Sequence, residues 1–138
     1  MGVVLKASDL RRVLIVDDDS IIRETLRILL RGEGFEVVGE AGDGIKAMEM
    51  MKKHTPALVL LDISMPGASG LEVLDDMRSE YPNTMVVMIS GEANSETVKT
   101  AIERGAAGYI VKPFNMANVV QNLKRALQMG IANRKKSA

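Results

Sequence analysis

The stretch Ala57-Leu58-Val59-Leu60-Leu61-Asp62-Ile63-Ser64-Met65-Pro66 decides the fold of this chain. Its apolar run leads straight into one carboxylate, and Pro66 ends regular structure four residues later. An unbroken apolar run of this length is typical of a strand buried on both faces of a parallel sheet. Asp62 then lies at the carboxyl end of the strand, the edge where open α/β sheets bind ligands. Because a carboxylate is costly in a dry core, we predict that Asp62 meets solvent or a cation and is itself chemically modified.

Apolar runs and helical stripes alternate five times along the chain, which predicts five strands, each followed by a helix. Besides the run that ends at Asp62, the predicted strands cover residues 13–16, 35–41, 85–89 and 109–111. The residues predicted to begin the helices are of types that favour N-cap positions. They are Asp19 or Ser20, Asp43, Ser69, Asn94 or Ser95, and Asn115. Five such units predict an α/β fold in which helices cover both faces of a doubly wound parallel sheet.

The order of the strands follows from their composition. The first, third and fourth strands are continuous apolar runs, so they belong in the middle of the sheet, whereas residues 35–41 contain charges and a glycine and fit an edge. With right-handed crossovers, the order 2-1-3-4-5 satisfies these conditions. On the helices, we predict two inward-facing stripes in particular. They are Val98, Ala101 and Ile102 on the fourth helix, and Met116, Val120, Leu123 and Leu127 on the last.

Length and composition favour one soluble domain. The chain has 138 residues, 46% hydrophobic and 26% charged, with no cysteine and a single histidine, His54, which cannot build a metal site alone. We predict an N-terminal extension at 1–10, a domain at 11–130 and a basic C-terminal tail at 131–138, with a loose end from Asn133 to Ala138. Neither a membrane span nor the apolar core of a signal peptide is present, so we expect a cytoplasmic protein.

The net charge of zero hides an asymmetry along the chain. Through Lys112 there are 13 basic and 18 acidic residues, and after Lys112 there are 5 basic residues and no acidic one. A basic end of this kind is either a solvated helix face or a docking surface for an acidic partner. The run Arg134-Lys135-Lys136 is too short to indicate nucleic-acid binding.

The predicted topology gathers polar residues at one edge of the sheet. The order 2-1-3-4-5 reverses direction between the first and third strands, so Asp17, Asp18 and Asp62 converge on one crevice. The fourth and fifth strands add Ser90 and Lys112 to the same edge. Helix capping explains Asp19 but not this set of three carboxylates.

The chemistry of these groups narrows the function. Carboxylates about 4 Å apart repel by roughly 4 kcal/mol per pair at an effective dielectric of about 20, which protonation, a cation such as Lys112 or a divalent metal would relieve. An all-oxygen ligand set suits Mg²⁺. A carboxylate surrounded by Mg²⁺, a lysine and a hydroxyl is the equipment of phosphoryl transfer, with Asp62 as the nucleophile and Ser90 as a hydrogen-bond partner of the phosphoryl group.

Four segments resemble a two-component response regulator receiver domain of the CheY-like (βα)5 type, over about residues 10–130. They are Val13-Leu14-Ile15-Val16-Asp17-Asp18-Asp19, Leu60-Leu61-Asp62-Ile63-Ser64-Met65-Pro66, Val87-Met88-Ile89-Ser90-Gly91 and Gly108-Tyr109-Ile110-Val111-Lys112-Pro113-Phe114. The resemblance implies that Asp62 accepts a phosphoryl group from a phosphohistidine on a sensor histidine kinase or a histidine phosphotransfer protein. It implies Mg²⁺ ligation by Asp18, Asp62 and the main-chain carbonyl of Ser64, with Asp17 holding the metal through water.

The resemblance also implies a conformational switch. Ser90 would turn towards the phosphoryl group while the ring of Tyr109 rotates inward, and the bond between Lys112 and Pro113 would be cis. The regulated output protein would bind the last helix-strand-helix face, with no direct contact to nucleic acid or membrane. Such a protein is not an enzyme beyond its own phosphorylation and dephosphorylation. Ser90 and Gly91 stand where the family most often has threonine and alanine.

Four interpretations are compared at this point. The chain could be a single-domain regulator, which we favour, or a receiver module separated from a DNA-binding or enzymatic output domain. A haloacid dehalogenase-type phosphatase would use Asp17-Asp18-Asp19, Ser90 and Lys112, but it also needs a distal acidic pair, and no acid follows Lys112. A flavodoxin-like cofactor carrier would need a phosphate-binding loop after the first strand, and here that loop is acidic.

Overall fold

The computed structural model describes residues 9–137, which form one five-stranded parallel sheet covered by five helices. The strands are β1 (Arg12–Val16), β2 (Glu36–Ala41), β3 (Leu58–Asp62), β4 (Met85–Ser90) and β5 (Gly108–Val111). The helices are α1 (Ser20–Gly32), α2 (Gly44–His54), α3 (Gly70–Glu80), α4 (Ser95–Glu103) and α5 (Met116–Ser137). The strand order is β2-β1-β3-β4-β5, which confirms the predicted topology. Of the predicted N-terminal extension, only Asp9 and Leu10 lie within the described residues, in a 3-10 turn that ends at Arg11.

The sheet has an apolar layer on each face because the strands alternate their side chains between the two sides. On β1, Val13 and Ile15 pack into one core cluster, and Leu14 and Val16 pack into the other. Every residue of β3 and β4 is buried, as expected for central strands, whereas β2 is only partly buried at its edge position. The carboxyl ends of two fully buried strands therefore carry Asp62 and Ser90.

Side-chain caps fix where the helices begin. Asp19 accepts hydrogen bonds from two main-chain amides at the start of α1. The side chains of Asp43, Ser69 and Asn94 each accept from one main-chain amide at the start of α2, α3 and α4. Before α5, the side chain of Asn115 accepts from the amide of Asn118 at 2.8 Å. These caps place the N-termini of the helices at the carboxyl edge of the sheet, around the acidic residues.

Two predicted core residues are exposed instead. Ile102 is 48% exposed because its neighbour Ala101 is fully buried and successive helical side chains project about 100° apart. Met116, 41% exposed, is the first residue of α5, and the buried stripe of that helix begins one turn later at Val119. Val120 and Leu123 are buried as predicted, and Leu127 is half-buried.

The C-terminal end of α5 also differs from the prediction. The loose end expected from Asn133 is wrong, because α5 continues to Ser137. Gly130 is buried with Met85 as its nearest side chain, and Arg134 donates a hydrogen bond to the main-chain carbonyl of Asn83 at 3.3 Å. These contacts hold the helix against the amino edge of the sheet. Across residues 9–137, no helix combines the length and apolar character that a membrane crossing requires.

Candidate functional site

Three aspartates meet at the carboxyl edge of the sheet. Asp17 directly follows β1, Asp18 comes next, and Asp62 is the last residue of β3, level with the end of β1 in the strand register. One carboxylate oxygen from each lies within 4.8 Å of those of the other two. Asp17 and Asp62 are 0% and 3% exposed, whereas Asp18 is exposed. The predicted convergence of these residues is therefore present.

Asp17 is held on several sides. Its main-chain amide donates to the carbonyl of Ala41 at 3.0 Å, which links the end of β1 to the end of β2. Its carboxylate accepts from the amide of Asp19 at 2.9 Å and from Nζ of Lys112 at 2.8 Å. These contacts hold the buried carboxylate of Asp17 in one direction at one side of the crevice.

The surroundings of Asp62 have opposite effects on its pKa. Its Oδ1 atom accepts from the amide of Ser64 at 3.2 Å, and its Oδ2 atom is 3.5 Å from Nζ of Lys112. Burial and the charge of Asp17 raise the pKa of Asp62 to about 6, against the opposite effect of Lys112. A buried carboxylate with a raised pKa at the end of a central strand is a candidate functional group.

Lys112 is the cation of the crevice. Burial alone would lower the pKa of Lys112, but the hydrogen bond to Asp17 and the negative charges of Asp17 and Asp62 together raise it. The amide of Lys112 donates to the carbonyl of Ser90 at 2.8 Å, so the end of β4 positions the lysine. The peptide bond between Lys112 and Pro113 is cis.

Ser90 and Tyr109 meet at one backbone segment after β4. The Ser90 hydroxyl, fully buried, accepts from the amide of Glu92 at 3.1 Å. The Tyr109 hydroxyl donates to the carbonyl of the same residue at 2.6 Å, and its ring packs partly buried against one core cluster. Burial raises the pKa of Tyr109. The main chain at Glu92 therefore connects the two residues predicted to form a switch.

Two supporting residues were missed at the sequence level. Arg23, one turn into α1, donates from Nη1 to the main-chain carbonyl of Asp17 at 2.5 Å. Gly70, the first residue of α3, lies so close to β3 that an added Cβ would be 2.1 Å from the carbonyl oxygen of Asp62. No local pattern in the sequence gives either contact: the Arg23 bond depends on how α1 leaves the sheet, and the approach of Gly70 depends on how α3 packs across β3.

The trio of carboxylates fits a magnesium ion. The structure offers hard oxygen donors from Asp17, Asp18 and Asp62, with the exposed Asp18 open to solvent waters. Mg²⁺ prefers one or two carboxylates together with waters and phosphate oxygens. The amide of Ser64 already binds Asp62, which brings the main chain of Ser64 to the same place.

Comparison with known proteins agrees with this geometry. The family described as Response regulator receiver domain matches residues 13–124. The chain belongs to this family. It is therefore the receiver domain of a two-component response regulator, and its fold is the CheY-like one.

The relatives of this receiver include both short and long proteins. It is 37% identical to the chemotaxis protein CheY of Bacillus subtilis, with 84% of this chain and 97% of CheY covered. It is 38% identical to the transcriptional regulatory protein PdtaR of Mycobacterium tuberculosis, where 85% of this chain spans 57% of the relative's length.

Solved structures show the same fold. A CheY-like receiver domain protein from Methanospirillum hungatei superposes with a TM-score of 0.82 at 30% identity, covering 88% of this chain and 97% of that one. A CheX-CheY-BeF3-Mg²⁺ complex from Borrelia burgdorferi superposes with a TM-score of 0.79 at 35% identity, covering 81% and 85%. The family is a signalling domain rather than an enzyme class, and the phosphatase alternative loses its support.

Proposed function

We propose that this receiver accepts a phosphoryl group on the carboxylate of Asp62 and that the reaction requires Mg²⁺. One observation carries the proposal: Asp62 is buried at the end of a central strand beside two further carboxylates and the ammonium group of Lys112. The donor would be a phosphohistidine on a sensor histidine kinase or a histidine phosphotransfer protein.

The transfer can be written with its bonds balanced. An oxygen of the ionised Asp62 attacks the phosphorus atom, the phosphorus–nitrogen bond of the phosphohistidine breaks, and the imidazole nitrogen leaves with the electron pair and takes up a proton. Asp62 becomes a mixed anhydride, and attack by water later returns the carboxylate and releases inorganic phosphate. Lys112, 3.5 Å from Asp62, is placed to pair with a phosphoryl oxygen, and Ser90 supplies a hydroxyl.

The metal role rests on the same residues. Asp18, Asp62 and the carbonyl of Ser64 would hold Mg²⁺ directly, and Asp17 would do so through water. When bound, the ion would offset the repulsion between the negative phosphoryl group and the three carboxylates. Because Asp17 is already engaged by Lys112 and Asp19, it is better suited to an indirect contact than Asp18 is.

The signal would pass through Ser90 and Tyr109. A phosphoryl group on Asp62 would draw the Ser90 hydroxyl away from the amide of Glu92. The main chain at Glu92 would then shift, and with it the carbonyl that accepts from the Tyr109 hydroxyl. The exposed apolar residues Ile102 on α4 and Val111 on β5 lie on the face where an output protein would bind.

The relatives support two ways in which the signal could reach an output. The match covers nearly the whole of CheY, which supports a single-domain regulator. It covers only 57% of PdtaR, which supports a receiver module joined to a further domain. We favour the single-domain regulator, with no direct binding to nucleic acid or membrane and a cytoplasmic location. Beyond its own phosphorylation and dephosphorylation, no reaction is proposed.

Acetyl phosphate and beryllofluoride test the proposed function. Either reagent should modify the protein with Mg²⁺ and leave it unchanged with EDTA. After treatment with acetyl phosphate, mass spectrometry should locate an acid-labile phosphate on Asp62. Asp62→Asn should abolish the modification. Phosphate on Asp17, or a protein inert to both reagents in Mg²⁺, contradicts the proposal.

A further inference from the structure

Asp18 is the least supported carboxylate of the crevice. Within the described residues, its side chain makes no hydrogen bond or ion pair, whereas Asp17 and Asp62 both have partners. Its direction therefore depends on the backbone that carries it. The planar peptide group between Asp17 and Asp18 contains the carbonyl of Asp17, so fixing that carbonyl fixes the plane from which Asp18 projects.

Arg23 fixes this carbonyl. Its Nη1 atom donates to the oxygen of Asp17 at 2.5 Å, and its Nε atom lies 3.4 Å from Oε1 of Glu40 on β2. The arginine side chain is 21% exposed, so both contacts are largely shielded from water. The planar guanidinium thus ties the turn after β1 to the neighbouring edge strand.

The surroundings leave space for this arrangement. An added Cβ on Gly42, after β2, would lie 3.3 Å from Nη1 of Arg23, so the glycine keeps room for the guanidinium. Arg27, one turn further along α1, pairs with Oε2 of the same Glu40 at 2.5 Å. Within the described contacts, Arg27 does not bind the turn that carries the aspartates, which makes it a matched comparison for Arg23.

We propose that Arg23 is a positioning residue for the metal site, holding the Asp17–Asp18 peptide so that the Asp18 carboxylate is preorganised for Mg²⁺. This inference rests on the proposed function of the crevice. It assigns a role in metal affinity to a residue that contributes no ligand and whose positive charge, taken alone, opposes cation binding.

The loss of charge and the loss of positioning change the Mg²⁺ affinity in opposite directions, so the two effects can be separated. Removing a positive charge near an acidic crevice should strengthen Mg²⁺ binding, whereas loosening the Asp17–Asp18 turn should weaken it. Arg27→Gln removes the same charge and the pair with Glu40 but no contact to the turn that carries the aspartates, so its affinity should equal or slightly exceed that of the wild type. Arg23→Gln should instead weaken binding about tenfold, the lower range for residues that orient metal ligands.

Isothermal titration of the full chain with MgCl₂ measures these affinities. The metal-free proteins provide a second readout, because the amide resonance of Asp18 in a ¹⁵N NMR spectrum should move in Arg23→Gln and not in Arg27→Gln. Should Arg23→Gln fail to fold, Arg23→Lys takes its place. Lysine keeps the charge but has one nitrogen, whereas Arg23 uses two to contact Asp17 and Glu40. Weaker Mg²⁺ binding by Arg23→Lys than by the wild type therefore supports the positioning role.

The outcomes separate the two proposals. A wild-type protein that does not bind Mg²⁺ overturns both the proposed function and the role of Arg23. A wild type that binds Mg²⁺ while Arg23→Gln binds at least as tightly as Arg27→Gln overturns only the role of Arg23. If Arg23→Lys is used, a Mg²⁺ affinity equal to that of the wild type likewise overturns only the role of Arg23.

Discussion

Lys112 donates a 2.8 Å hydrogen bond to Asp17, a residue 95 positions earlier with no exposed surface. The same ammonium group lies 3.5 Å from Asp62. One lysine therefore neutralises part of two buried negative charges. Its contribution should be visible in stability as well as in phosphorylation, because a buried carboxylate without a cation is strongly unfavourable.

Lys112→Met should lower the free energy of unfolding by about 3 kcal/mol in EDTA, because Asp17 is left as an unpaired buried charge. Urea titration followed by circular dichroism measures this difference. Lys99→Met is the control: the pair between Lys99 and Glu103 is exposed, and its loss should cost less than about 1 kcal/mol. Mg²⁺ should recover part of the lost stability in Lys112→Met. Equal effects of the two substitutions would show that Asp17 does not depend on Lys112.

Asp62→Asn should stabilise the metal-free protein at neutral pH. The pKa of Asp62 is raised from 3.8 to about 6, so the folded state holds its proton more tightly than the unfolded state does. The favourable contribution of the protonated form is complete below 3.8 and is lost as the pH rises through about 6. At pH 7.5 an ionised Asp62 therefore costs up to about 3 kcal/mol, which asparagine avoids.

The pH profile distinguishes this cause from a packing effect. Thermal unfolding in EDTA should show a higher midpoint for Asp62→Asn at pH 7.5, and the gain should shrink steadily between pH 6 and pH 4. A gain that stays constant over this range would point to packing rather than to the charge of Asp62.

The strands, their order and the converging acids could be predicted from sequence because each depends on local composition. The central strand that ends in Asp62 is continuous and apolar, and the edge strand is not. The direction of burial at helix ends could not be predicted in the same way. Met116 fits the apolar stripe of α5 in spacing, but only the position of the first helical turn relative to the sheet decides that it is exposed.

The supporting contacts of the site were equally hidden. Arg23 reads as an ordinary charged residue of an amphipathic helix, and its bond to the carbonyl of Asp17 depends on how α1 leaves the sheet. Gly70 follows a capping serine and reads as part of a turn. Its tight approach to Asp62 depends on how α3 packs across β3, which no short stretch of sequence records.

Gly70→Ala tests that approach. A Cβ atom at this position would lie 2.1 Å from the carbonyl oxygen of Asp62, so α3 or the end of β3 must shift. We expect a loss of at least about 3 kcal/mol in the free energy of unfolding, at the upper end for overpacking, and weaker Mg²⁺ binding because Asp62 moves. Gly32→Ala is the control, since nothing lies within 4 Å of the added atom and the residue is helical. That change should stabilise by about 0.5 to 1 kcal/mol. A well-tolerated Gly70→Ala would mean that α3 is not packed against the phosphoacceptor strand as described.

Arg134→Ala tests the unexpected end of α5. Arg134 is half-buried and donates to the carbonyl of Asn83, whereas its neighbour Lys135 is exposed on the same helical turn. Removing Arg134 should cost about 1 kcal/mol of unfolding free energy through the lost hydrogen bond and the lost packing of its stem. Lys135→Ala removes an equal charge from the same turn and should change stability by less than about 0.5 kcal/mol. Both variants can be compared by urea unfolding at one pH and salt concentration, so that the charge effect cancels. Indistinguishable variants would mean that the contact between Arg134 and Asn83 does not contribute to the stability of the fold.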